Sequence, residues 1–119
     1  MEPDMSTVTV LRLILETLAA RLHRAGQSVC DANMGALAET DELMRCMTQV
    51  QHALIGARKE HDPKARRWRL ERLRGRVMQL RERNEHTVGS GMDAACLANT
   101  RIKTDDDVLA MIDDAMKGL

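Results

Sequence analysis

From Ala36 to Ala57 an apolar residue returns at every seventh position, at Ala36, Leu43, Val50 and Ala57, with Met47 and Leu54 between them. A repeat of seven is a seam on one side of a helix, and such a seam is buried only against a neighbouring helix at a shallow crossing angle. A second seam begins at Leu70: with that residue at heptad position a, it continues through Leu73, Val77, Leu80, Asn84 and Thr87. Alternating apolar and polar runs of the kind that make half-buried strands are missing. The apolar residues are chiefly Leu, Ala, Met and Val, and Trp68 is the sole aromatic residue. That material suits close-packed helices better than pleated sheets.

These features predict one all-α domain over residues 1–119, an antiparallel, coiled-coil-like bundle of three long helices with a short fourth. Residues 1–5 read as a flexible start. Ser6 or Thr7 caps a first helix that reaches about Arg24, with Val10, Leu11, Ile14, Leu15, Leu18 and Leu22 along one stripe. Gly26 suits its end, and a second helix runs from about Asp31 to Arg58. Asp62 before Pro63 marks the start of the third helix, an N-cap followed by a proline at the first helical position. This helix is expected to reach about residue 98, bent at Gly89 and Gly91. Thr104 with Asp107 then reads as the capping signal of a short amphipathic helix over 104–118, joined by a polar link. Its apolar face is Val108, Leu109, Ile112, Met116 and Leu119, opposite Asp105, Asp106, Asp113 and Asp114.

The net charge is zero, but the charges are segregated. Residues 1–57 carry seven acids and four bases, residues 58–86 carry eleven bases and five acids, and residues 87–119 carry six acids and three bases. A basic middle flanked by acidic ends points to pairing within the fold or within a dimer. In the third helix Arg67, Arg74 and Arg81 fall at heptad position e, and Arg69, Arg76 and Arg83 fall at g. Long basic side chains in those places cover the edges of an apolar seam while their heads stay in water. Two parallel copies would set arginine against arginine, so an antiparallel or acidic neighbour is expected. Nucleic acid could use the same cluster, but there is no aromatic platform for bases beyond Trp68, and this reading ranks lower. Trp68 falls at position f, with Gly75 and Met78 further along the same helix. It is expected to make a second core contact; if exposed, it would mark a further partner face with Met78, Arg69, Arg76 and Arg83.

No phosphate-binding glycine loop, nucleophile elbow or HExxH pattern is present. His23, His52, His61 and His86 are too widely spaced to form a helical metal pair. Cys30, Cys46 and Cys96 follow no CxxC spacing and read as free thiols. No catalytic, cofactor-binding or metal-ligating residue is therefore assigned, and the chain does not read as an enzyme. The apolar patch near the N-terminus is preceded by Glu2 and Asp4 and followed by charges, so neither a signal peptide nor membrane insertion is expected, and a cytoplasmic location follows.

Two stretches carry a likeness. "LAARLHRAGQSVCDANMGALAETDELM" has a helix, a glycine-containing break and a second Leu-rich helix, and "LRERNEHTV" is similar to an Asn-x-x-Asn-Gly-x-Leu pattern late in a third helix. In these features the chain resembles the flagellar type III export chaperones of the FlgN type, over about residues 8–119. Asn84 matches the second Asn, whereas Arg81 stands at the first and Glu85 at the glycine. The resemblance implies a small helical chaperone that keeps hook-associated junction proteins unassembled and brings them to the export gate. By the same analogy Val108, Leu109, Ile112, Met116 and Leu119 would engage the cargo or an export-apparatus component. The alternatives are a helical structural or regulatory interaction protein and, ranked below it, an arginine-rich nucleic-acid-binding coiled coil. A monomer and an antiparallel homodimer are both compatible with the pattern.

Overall fold

The computed structural model describes residues 6–29, 34–86 and 92–118. They form four helices of similar length, α1 (Ser6–Val29), α2 (Met34–Lys59), α3 (Pro63–His86) and α4 (Met92–Lys117), and no strand occurs among them. The bundle is elongated, 55 × 28 × 21 Å. Helix α1 packs mainly on α2, and α3 packs mainly on α4, while α2 also lies against both α3 and α4 and joins the two hairpins. Cross-links between α2 and α3 run Glu42 to Asn84, Gln49 to Arg76 and Gly56 to Arg69, so the two helices are antiparallel. Between α3 and α4, Arg81 meets Asp106 and Arg74 meets Asp113, again antiparallel.

Both seams are buried. Leu43, Cys46, Val50, Leu54 and Ala57 of α2 face Leu70, Leu73 and Val77 of α3, and Leu11, Ile14 and Leu18 of α1 complete that side of the core. Val10, Leu15 and Leu22 are half-buried against it. Asp62 caps α3: its Oδ1 accepts from the Lys64 backbone N–H at 3.0 Å and its carbonyl accepts from Arg66 N–H at 3.1 Å.

The helix boundaries differ from the sequence reading in three places. Helix α1 continues through Gly26 to Val29, because Ala25 is buried in the core and the glycine adopts helical geometry there. That burial outweighs a glycine penalty of about 1 kcal/mol. Helix α3 ends at His86 instead of near residue 98, and a new helix starts at Met92. Residues 87–91 lie outside the described residues, as do the start at 1–5, Cys30, Asp31 and Leu119. The stretch that one helix bent at Gly89 and Gly91 was expected to span is divided between two antiparallel helices, and the bend itself falls outside the described residues.

The third difference is the largest: the polar link and short final helix are one helix of 26 residues. Thr104 does not cap a helix. It is buried in mid-helix with its Oγ1 donating to Thr100 O at 2.9 Å, and Thr100 Oγ1 donates in the same way to Cys96 O at 3.1 Å. Each threonine satisfies its hydroxyl on its own helix, so a capping pattern in the sequence becomes a pair of internal bonds.

Candidate functional site

Two regions of the bundle hold chemistry, one inside and one on the surface. Inside, α2 contributes Glu42 and Cys46, one turn apart, while α3 contributes Asn84 and α4 contributes Asp105; all four are buried. The Asn84 amide nitrogen donates to Glu42 Oε2 and to Asp105 Oδ2, each at 2.8 Å. The Cys46 thiol donates to Asp105 Oδ1 at 3.4 Å, and Arg45 reaches Glu42 Oε1 from outside at 3.0 Å. Burial first, then the hydrogen bond and charge of Glu42, push Asp105 up to about 8, against the pull of Asn84 and Cys46. At neutral pH Asp105 therefore keeps its proton. Burial and the nearby Asp105 and Glu42 carboxyls likewise raise the Cys46 thiol far above its ordinary range, which removes it as a thiolate nucleophile.

The donor atoms of Glu42, Cys46 and Asp105 lie within 4.8 Å of one another, the only such group of three among the described residues. These are the side chains that could close on a cation. In this structure the space between the carboxyls is bridged by the Asn84 amide, whose hydrogens repel a cation. The arrangement is a satisfied polar knot tying three helices. None of it was assigned from the sequence, and the signal available was Asn84 at an otherwise apolar seam position.

Beside the knot, Arg21 of α1 donates to Glu39 of α2 at 2.7 Å and to Asp107 of α4 at 2.9 Å, which ties the first helix to the other hairpin.

On the surface, the two edges of the α3 seam have different fates. The e-position residues Arg74 and Arg81 face α4 and are paired with Asp113 and Asp106; Arg81 also pairs with Glu85 on its own helix. The g-position residues Arg69, Arg76 and Arg83 line hollows whose α2 side is Gln49, His52 and Ala53. Arg69 lies over Gly56 and pairs with Glu60 at 2.8 Å; its Nη1 and Nε stand 2.9 and 3.1 Å from where a β-carbon would be, so only glycine leaves it this room. Arg76 reaches only the neutral Gln49, at 3.3 Å. Two adjoining hollows follow this edge, of about 250 and 230 Å³, sharing Gln49 and Arg76.

Trp68 is 49% exposed at the head of this edge and not a core contact. The Arg69 and Arg72 guanidinium groups lie 5.7 and 5.2 Å from its ring centre. Of the arginines expected with Trp68, Arg69 lies at its ring, joined by Arg72, which the sequence did not single out, while Arg76 and Arg83 follow further along α3. Met78 does not belong with them: it is half-buried against the core.

The α4 residues assigned to partner binding sit elsewhere than the sequence suggested. Val108, Leu109 and Ile112 are core side chains, and Met116 is half-buried against the same cluster. Besides Trp68 and Leu13 of α1, the exposed large apolar side chains among the described residues lie on α2, where Met34, Leu37, Met44 and Ile55 are spaced to share one outward face. No protein-family model matches the chain, and neither curated proteins nor solved structures provide a match. None of the helices is long and apolar enough, over the described residues, to cross a membrane.

Proposed function

We propose that this protein works by holding another protein chain, as a cytoplasmic chaperone of the export type implied by its sequence likeness, with a hook-associated cargo or an export-apparatus component as its partner. The observation that carries the reading is the outer face of α2. Met44 is 55% exposed and Ile55 51%, with Met34 and Leu37 on the same face, a run of flexible apolar side chains that the bundle's own core does not use. Apolar side chains in such a row fit the apolar face of an amphipathic partner helix, and methionine adapts to differing partners. The buried knot supports a binding role over a catalytic one, since its thiol and carboxyls are engaged with each other away from the surface.

The resemblance placed cargo on the final helix. With Val108, Leu109 and Ile112 in the core, the proposed surface moves to α2, leaving Met116 as the accessible remnant of the α4 face.

The test is capture and protection with purified components. A partner co-purified from the native cell should be identified, made separately, and kept unassembled by the wild-type protein, whereas a Leu37→Asp, Met44→Asp, Ile55→Asp variant of unchanged helicity should fail to hold it. Equal protection by that variant would remove the α2 face from the proposal. Light scattering of the free protein would decide between monomer and antiparallel dimer.

A further inference from the structure

We infer that the α2–α3 groove is a docking site for an acidic amphipathic helix of the partner; the inference rests on the partner-binding reading above and names the chemistry of what is bound. Arg69, Arg72, Arg76 and Arg83 follow one another along one side of α3, with Gln79 filling the intervening turn. At the rise of an α-helix this row is about 21 Å long, the length of about 14 residues of a bound helix. Among the described residues Arg72, Arg76 and Arg83 have no carboxylate partner, although Arg74 and Arg81 on the other side of the same helix are paired. The fold therefore places one arginine edge against its own aspartates and leaves the other open.

The open edge lines a trough. Its floor is Ala53, Leu73 and Leu80 and its α2 wall is Gln49 and His52; Trp68 stands outside the lining, with the guanidinium groups of two lining residues, Arg69 and Arg72, 5.7 and 5.2 Å from its ring centre. The two hollows are each smaller than an ordinary small-molecule pocket and run on from one another, the shape that takes successive side chains of a peptide. Carboxylates four residues apart on one side of a guest helix would meet successive guanidinium groups in charge-assisted, bidentate hydrogen bonds. Its apolar side would rest on Ala53, Leu73 and Leu80 in the floor of the trough. A nucleic acid would use the same cations, but the trough offers one aromatic ring and no row of stacking surfaces.

Trp68 supplies the readout, because the chain has no tyrosine or phenylalanine. Tryptophan emission would be titrated with a synthetic helical peptide of about 14 residues carrying glutamates at i, i+4 and leucines on the adjoining face, with the same peptide in which lysine replaces glutamate, and with a mixed-sequence single-stranded oligonucleotide and its duplex. The acidic peptide should change the emission saturably and lose affinity steeply with salt. The Arg72→Glu, Arg76→Glu, Arg83→Glu variant, checked for unchanged helicity, should bind it at least about tenfold more weakly. Equal binding of the lysine peptide, or undiminished binding by the variant, would overturn the inference. Preferential binding of either oligonucleotide at physiological salt would overturn it too and assign the groove to nucleic acid. If the variant still protects the natural partner while the α2 apolar variant does not, the arginine inference falls and the partner-binding reading stands.

Discussion

Asn84 on α3 and Asp105 on α4 meet at 2.8 Å in the middle of the bundle, and the same amide nitrogen reaches Glu42 on α2 at the same distance. Asn84 occupies a heptad a position, where a leucine would pack without direction. An amide there has partners in one register only, so sliding α4 by a turn would leave buried polar groups unmatched. The knot thus fixes how the two hairpins meet, and with them the relative places of Arg74 and Asp113, and of Arg81 and Asp106.

Replacing Asn84 by Leu keeps the volume near that of the amide and removes the donor common to both carboxyls. The expected loss is about 2–4 kcal/mol in urea unfolding, since buried acceptors left unmatched are costly. The triple variant Glu42→Leu, Asn84→Leu, Asp105→Leu should recover most of that loss, because a well-packed apolar replacement removes the desolvation penalty along with the bonds. A neutral Asn84→Leu would show that the knot is not closed in solution.

Asp105 makes stability depend on pH in the opposite sense to an ordinary ion-paired aspartate. Its folded-state value is raised from 3.8 to about 8, so the native state holds a proton that the unfolded state releases. The stabilisation is complete below about pH 4 and is lost as pH rises towards 8. The groups facing it are Glu42 and Cys46 from α2 and Asn84 from α3, with Arg45 behind Glu42. Urea unfolding should therefore show a fall of about 2–4 kcal/mol between pH 5 and 8. The slope should flatten in Asp105→Asn; an equal slope in that variant would assign the dependence to other groups.

The seams at Leu43, Val50, Ala57, Leu70 and Val77 were legible in the sequence because burial follows helical period, and the split of arginines between e and g positions foretold two distinct edges. Which edge would find acids was not legible, since it depends on Asp106 and Asp113 arriving from a helix whose start was misread. Thr104 and Asp107 carry the local pattern of an N-cap, and only the packing of Ala98, Thr104 and Asp105 against the bundle turns that stretch into mid-helix. The face of α4 looked like a free amphipathic stripe for the same reason: an apolar stripe has one appearance whether it meets its own core or a partner. Trp68 shows the converse, a large ring left outside because its helical angle points away from all three neighbours.

Cysteine reactivity separates the interior from the surface. Cys46 is fully buried with its thiol bonded to Asp105, whereas Cys96 is exposed. In a Cys30→Ser background, a thiol reagent should modify Cys96 at once and Cys46 on the order of a thousandfold more slowly, at the rate set by global opening. Rapid modification of both would mean that α4 parts from α2 without unfolding of the rest.

The role of α4 gives the sharpest test of the fold against the cargo assignment. Val108 and Ile112 are wholly buried and Leu109 nearly so, and the helix carries Asp105 of the knot as well as the partners of Arg21, Arg74 and Arg81. Removing residues 104–119 would strip these from α2 and α3 together, so the truncated chain is expected to lose cooperative unfolding and helical signal well beyond the deleted residues. Ile112→Asp should cost more than about 4 kcal/mol, because it buries an unpaired carboxylate. Met116→Asp, at a half-buried site near the helix end, should cost about 1 kcal/mol. If the truncated chain instead melts cooperatively at the wild-type temperature, α4 is detachable, and the face formed by Val108, Leu109 and Ile112 becomes available to a partner after all.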